Sequence, residues 1–304
     1  MQKFFPSVVL ALVAMFWLNL PGFAADLATP GEIVPFKLYR GHMIVVECSV
    51  GGLKSVTAII DTGASETVLD MELVRKLSLA IQPDSATFIT QQAKVWAVSI
   101  PGLRLGPIGV DRLEGIATDL SSLTADLGIR PQVLIGMDVL DRLSFVIDYH
   151  SRKLVFGQPP RLTHSAPLVS RNPGLGLSGG SGFRMTLIDA NVLGKRLRLQ
   201  VDSGFAGLLL YGDRTPDLAR ENVADGSRVG RGEAHIANLG QSLRARSFAP
   251  PDVQIGDWHA SHAQILLVDG PPPESADFDG LIGTAFLSQR RVAFDFQNAR
   301  ICWE

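Results

Sequence analysis

The chain has 304 residues, of which 46% are hydrophobic and 19% charged, and its formal net charge is −2. That length leaves room for two domains of ordinary size, each with a buried core. The near-balanced charge offers no electrostatic case for nucleic acid or an anionic membrane surface as a partner, and the apolar content excludes a disordered chain.

Met1-Gln2-Lys3 is a basic start, Phe4 to Leu20 is mostly apolar, and Pro21-Gly22-Phe23-Ala24-Ala25 supplies a breaker and small residues around a cut after Ala24. This is the anatomy of a secretory signal peptide over 1–24. Pro6 and Asn19 interrupt the apolar run, leaving it short of the roughly 18 to 20 residues that a spanning helix needs. The protein is therefore expected to be exported, with no integral membrane span once the signal is cut.

Val45 to Lys54 reads as a strand, a tight turn at Gly51-Gly52 and a returning strand that ends in Ala58-Ile59-Ile60-Asp61-Thr62-Gly63-Ala64-Ser65. Asp70 is a candidate N-cap for a short helix carrying Met71, Leu73, Val74 and Leu77. Another short helix is expected around Leu120 to Leu127. Leu134-Ile135-Gly136 is followed by a third, Met137 to Leu143, and Val146 to Phe156 closes the segment with a hairpin pattern. Residues 158–182, with Pro159, Pro160, Pro167 and Pro173 among several glycines, read as a linker.

The same series then recurs. Leu187 to Arg196 repeats the strand, turn and strand; Leu199-Gln200-Val201 leads into Asp202-Ser203-Gly204-Phe205-Ala206; Leu281-Ile282-Gly283 precedes a short helix, Thr284 to Ser288; and Ala293 to Trp303 closes the chain. Asp61 and Asp202 are 141 positions apart, and Gly136 and Gly283, like Asp148 and Asp295, are 147 apart. One Asp-Thr-Gly would suit any turn. Two in matching surroundings indicate a duplicated unit. The expected organisation is an N-terminal lobe over 25–157 and a C-terminal lobe over 183–304, each all-β and barrel-like with a few short helices, and a cleft between them.

The duplication gives the carboxylates a purpose. Hydrolysing a peptide bond without a metal or a covalent nucleophile requires a base to activate water and an acid to protonate the leaving amine. Two carboxyl groups about 3 Å apart supply both, because they cannot both ionise. Asp61 and Asp202 are the candidate catalytic pair. Gly63 and Gly204 let each loop turn tightly, and Thr62 and Ser203 can reach across to the opposite loop and set the spacing of the acids. Gly136 and Gly283 are expected to let a neighbouring strand pass close behind each loop. Asp138, Asp148 and Asp295 suit capping and hairpin roles, Ser65 a loop-holding role, and Trp96 the core. His259 and His262 are isolated, and no metal site or cofactor is expected. Cys48 and Cys302 form either a disulfide, which an exported protein permits, or two free thiols. Gly176-Leu177-Ser178-Gly179-Gly180 matches a serine nucleophile elbow in letters but lacks the strand before it and the helix after it.

These motifs make the chain resemble the aspartic proteases, most closely bacterial exported proteins with two retropepsin-like domains in one polypeptide. Asp61-Thr62-Gly63-Ala64-Ser65, then Val133 to Leu140, then Ile147-Asp148-Tyr149, looks very like a retropepsin unit, and the resemblance runs from about Phe36 to Trp303. It implies the acid-protease fold, Asp61 and Asp202 as the dyad, a protein or peptide substrate, a monomer with both lobes in one chain, and a periplasmic or secreted location. It also implies a hairpin folding over the cleft from each lobe, for which Phe88–Val98 with a Gln91-Gln92 tip and Glu233–Arg244 with a Leu239-Gly240 tip are the candidates. Pepsin-like enzymes carry Ser or Thr after the Gly, where this chain has Ala64 and Phe205. The lost donor is expected to raise the dyad's pKa values, moving activity to milder pH. Phe205 also keeps two other readings open: a non-catalytic peptide-binding module, and a protease active only when the N-terminal lobes of two molecules pair.

Overall fold

The structure is a computed structural model that describes residues 31–89, 91–157, 162–171, 185–217, 232–238, 241–248, 253–260, 265–270, 272 and 277–304. The signal peptide over 1–24, the Ser178 motif, His262 and the tip residues Leu239 and Gly240 lie outside them. Among the described residues, no helix is long and apolar enough to cross a membrane.

The architecture is all-β and acid-protease-like, with a few helices of four to seven residues. The N-terminal half builds an eight-stranded sheet that bends back on itself, because Met43–Val50 pairs both with Leu53–Ile60 and with the far strand Gln91–Leu105. In its middle, Leu53–Ile60 runs parallel to Val133–Ile135, which runs antiparallel to Val68–Asp70, itself parallel to Ile108–Thr118. The C-terminal half repeats this order. Lys195–Val201 runs parallel to Gly280–Ile282, Leu208–Tyr211 antiparallel to that strand and parallel to Ile265–Val268. Val68–Asp70, Val133–Ile135, Leu208–Tyr211 and Gly280–Ile282 are buried throughout, as expected of strands covered on both faces, and Leu53–Ile60 and Lys195–Val201 become buried as they approach the acids.

A third, six-stranded sheet joins the halves. Phe145–Asp148 pairs antiparallel with Arg291–Asp295 at its centre, with Phe145 opposite Phe294. Phe145 is fully buried and stacks on Phe294 at 4.7 Å, with Phe156 and Phe296 tilted against it at 5.8 and 6.0 Å. The outer strands extend the repeat. Glu32–Pro35 flanks the first half's closing hairpin, and His164–Pro167 flanks the second's. Immediately afterwards, Phe36 N–H donates to Arg152 O at 3.0 Å and Leu168 N–H to Ala299 O at 2.8 Å. Val169–Arg171 then pairs with Met185–Leu187 as Lys37–Tyr39 pairs with Met43–Val45.

The stretch expected as a linker, 158–182, therefore contains strands at His164–Pro167 and Val169–Arg171. Four- and three-residue strands beside prolines show no periodicity, and the partner of His164–Pro167, Arg300–Trp303, lies more than a hundred residues away.

The expected helices are present as Met71–Lys76, capped by Asp70 through Glu72 N–H at 2.9 Å, and as Ser121–Leu127, Met137–Leu140 and Thr284–Leu287. Trp96 packs on the core. Cys48 and Cys302 are both free thiols, on different sheets. Loosely clustered cations of the second half meet carboxylates: Lys195 with Asp217, Arg196 with Asp189, Arg198 with Asp277, Arg246 with Asp269.

Because both halves fold around one aromatic cluster, Phe145→Ala is expected to cost about 3–5 kcal/mol of stability. Denaturant unfolding of wild type and variant, followed by tryptophan fluorescence, checks this, and a single shared transition is expected.

Candidate active site

Each acid sits where a buried strand gives out. Asp61 N–H donates to Ile135 O at 3.0 Å and Asp202 N–H to Ile282 O at 2.9 Å, so each loop hangs from the apolar-apolar-Gly strand beside it. On the far side, Ala64 O accepts from Met137 N–H at 2.9 Å, and Phe205 O accepts from Thr284 N–H at 2.8 Å. The loops are thus held alike at both ends.

Thr62 and Ser203 exchange hydrogen bonds across the junction of the halves. Thr62 Oγ1 donates to Val201 O at 2.9 Å while accepting from Ser203 N–H at 2.9 Å; Ser203 Oγ donates to Ile60 O at 3.0 Å while accepting from Thr62 N–H at 3.1 Å. Both residues are fully buried. Here a lost partner would leave a buried donor or acceptor unmet, which costs about 1–3 kcal/mol.

That exchange brings the carboxyls into hydrogen-bond contact with each other. The glycines are required by this closeness rather than by turn geometry, since neither has a positive φ. A Cβ on Gly63 would lie 2.3 Å from Asp202 Cγ, and one on Gly204 would lie 2.6 Å from Asp61 Cγ. Each glycine makes room for the opposite acid. Gly136 and Gly283 differ from expectation in a similar way. A Cβ there would strike the descending part of the acid's own loop, at Glu66 C (2.7 Å) and Phe205 O (2.2 Å), rather than a passing strand.

The electrostatics separate the two carboxyls. Burial pushes both above the ordinary carboxylate range. Asp61 is partly restored by the hydrogen bond from Asp202 and by amide donors, Gly63 N–H at 2.9 Å and Ala64 N–H at 3.1 Å. Asp202 is pushed well up by burial and next by the charge of Asp61, against the amides of Gly204 (2.8 Å) and Phe205. The two acids therefore hold one proton between them over a wide pH range and titrate as a pair. Burial raises the nearby phenols of Tyr149 and Tyr211, and the Asp202 charge adds to it, so both stay neutral.

Several contributors had no motif to announce them. Gln200, 5% exposed, donates from Nε2 to Gly63 O at 2.8 Å, one half bracing the other's loop. The equivalent residue of the first half is Ile59, which lies in an apolar cluster with Met43, Val45 and Leu127, so the repeat gave no hint of the bond. Asp138 does not cap a helix; its carboxylate accepts from Thr67 N–H (2.8 Å) and Thr67 Oγ1 (2.7 Å) behind the Asp61 loop. Asp148 and Asp295 do hold hairpin turns, through Ser151 N–H and Asn298 N–H at 2.8 and 3.1 Å. Ser65 contributes its carbonyl to Asp138 N–H at 3.3 Å.

Both hairpins implied by the resemblance exist. The first is Ile81–Phe88 with Gln91–Leu105, in which Phe88 pairs with Gln91 and Ile89 lies in the turn. Gln91 and Gln92 therefore begin the returning strand and do not form the tip. Ile89 has φ 55°, as two-residue hairpin turns demand, and its side chain packs on a cluster of the opposite half containing Leu209, Tyr211 and Leu281. The second is Gly232–Asn238 with Gln241–Phe248, in which Asn238 pairs with Gln241; the expected tip residues lie outside the described residues.

Among the described residues no group of three or more His, Cys, Asp or Glu could hold a metal ion. Residues 46–139 match the family model described as aspartyl protease. The match begins in Met43–Val50, runs through the Asp61 loop and ends just beyond Gly136, which supports an aspartic protease family and protease chemistry. No curated protein matches the chain.

Burial raises Asp138 to about 6. The folded protein thus binds a proton between that value and the ordinary carboxylate value of about 3.9, where the unfolded chain does not. Stability is expected to fall as pH rises from 4 through 6, by on the order of 3 kcal/mol from this group, and the raised dyad acts in the same direction. Thermal melts across that range check the sign, and Asp138→Asn is expected to flatten the slope.

Proposed function

We propose that the protein is an aspartic endopeptidase whose dyad, Asp61 and Asp202, lies within a single chain. The observation that carries this reading is the close approach of two carboxyls, Asp202 buried and Asp61 half-buried, each set against the opposite loop's glycine and held by reciprocal bonds between Thr62 and Ser203. Asp61, ionised and fed by two amides, acts as base on a water lying between the acids. Asp202, protonated, donates to the scissile carbonyl. The amine then leaves with a proton returned by the pair. General acid–base help of this kind contributes about 10²–10⁴-fold.

Exported location, monomeric action and a protein or peptide substrate belong to the same proposal. The internal pairing of the acids favours a monomer over a dimer of N-terminal lobes. The hairpins favour an extended peptide as substrate, gripped through backbone hydrogen bonds. Burial and mutual repulsion, together with Phe205 in place of a hydroxyl donor, favour work at mildly acidic pH.

The test is cleavage of an unfolded protein by purified enzyme at several pH values. Asp61→Asn and Asp202→Asn are each expected to lower kcat by about 10²–10⁴-fold, with specific activity independent of enzyme concentration. Loss confined to Asp61→Asn, with concentration-dependent activity, would mean pairing between molecules. Absence of turnover with retained peptide binding would mean a binding module, and a rate maximum near pH 2 would overturn the expected pH range.

A further inference from the structure

The two sides of the dyad are alike in backbone and unlike in bulk. Ala64 and Phe205 follow the two acid-loop glycines, each presents its amide to an acid, and each carbonyl is anchored to the helix after the apolar-Gly strand at nearly the same length, 2.9 and 2.8 Å. Their side chains therefore leave equivalent points, and both are only partly buried.

Behind Ala64 lies an apolar cluster of Val68, Val95, Ile116, Leu120 and Leu134, to which the first hairpin adds the small Ala86 and the helix Ser121–Leu127 adds Leu123. Behind Phe205 lies the matching cluster, with Leu209 and Leu281 in the places of Val68 and Leu134. There the phenyl ring itself occupies the space that a methyl leaves on the other side. Ile89 from the first hairpin's tip and Leu243 from the second hairpin pack on that same cluster, crowding it further.

An extended peptide sends successive side chains to opposite faces. With its cut bond at the dyad, one flanking side chain passes over Ala64 and the other over Phe205. Resting on the proposed endopeptidase reading, we infer that the enzyme selects asymmetric bonds: a large apolar residue on the Ala64 side and a small one (Gly, Ala or Ser) on the Phe205 side. Phe205 is then the specificity-determining residue.

The test is to sequence the products that wild type, Phe205→Ala, Phe205→Leu and Ala64→Phe generate from a diverse peptide mixture. Thermal melts and anisotropy binding of the same peptides to Asp202→Asn run alongside. The expected wild-type cuts have one flank large and apolar and the other small. Phe205→Ala is expected to raise kcat/KM about tenfold or more for peptides bulky at the small flank, with Phe205→Leu intermediate, whereas Ala64→Phe restricts the other flank. Wild-type cuts between two bulky residues at equal rates, or a folded Phe205→Ala with an unchanged profile, would overturn the inference while leaving the endopeptidase reading intact. Peptides bound with the same asymmetry but never cut would sustain the inference for the cleft and sink the endopeptidase. Peptides neither cut nor bound would remove both.

Discussion

Everything at the centre of this molecule depends on two hydroxyl groups meeting across a junction. Thr62 and Ser203 each give a hydrogen to a carbonyl of the opposite strand and take one from the opposite residue's amide. Neither bond set closes unless both halves are in place. The exchange sets the distance between the acid loops, that distance forces the carboxyls together, and the closeness raises their proton affinities and requires glycine at 63 and 204. An apolar pair in the same position would bury as well and cost less to desolvate. It would not set register, because dispersion contacts tolerate sliding that a reciprocal hydrogen-bond pair does not.

The joining sheet supplies the counterpart to this local precision. Phe145 facing Phe294 across the centre, with Phe156 and Phe296 around them, makes one apolar body out of two halves. The hydroxyl exchange alone would be too weak to hold two units together, since a net hydrogen bond is worth only about 0.5–1.5 kcal/mol. The aromatic cluster supplies the association and the hydroxyls the alignment. The first hairpin makes a contact of a third kind. Ile89, a β-branched residue with positive φ, sits in a conformation that costs of order 1–3 kcal/mol, and its packing on the opposite half's cluster offsets that strain.

Much of this was legible in the chain because duplication doubles the signal. The two Asp-hydroxyl-Gly triplets, the two apolar-apolar-Gly steps and the two closing hairpins located the acids, their loops and the helices after them. What escaped was of two kinds. Strands such as His164–Pro167 owe their existence to a partner, Arg300–Trp303, far along the chain, and no local pattern encodes that. Contacts such as Gln200 to Gly63 O, or Asp138 to Thr67, occur in one copy only, so comparing the copies hides them. The tip of the first hairpin was misplaced by two residues because cross-strand register, rather than composition, decides where a turn falls.

Those one-sided contacts have a consequence for how such a molecule can change. In an assembly of identical subunits every substitution arrives in double dose, so a bulky residue admitted beside one acid is forced beside the other, and a brace invented for one loop is imposed on both. Tethering the copies abolishes that bookkeeping. Phe205 can crowd one flank while Ala64 leaves the other open, and glutamine can replace isoleucine on one side only. The likeness of the halves holds where alignment needs it, in the hydroxyl exchange and the anchors of the acid loops, and lapses at Phe205 and Gln200, where inequality is tolerated.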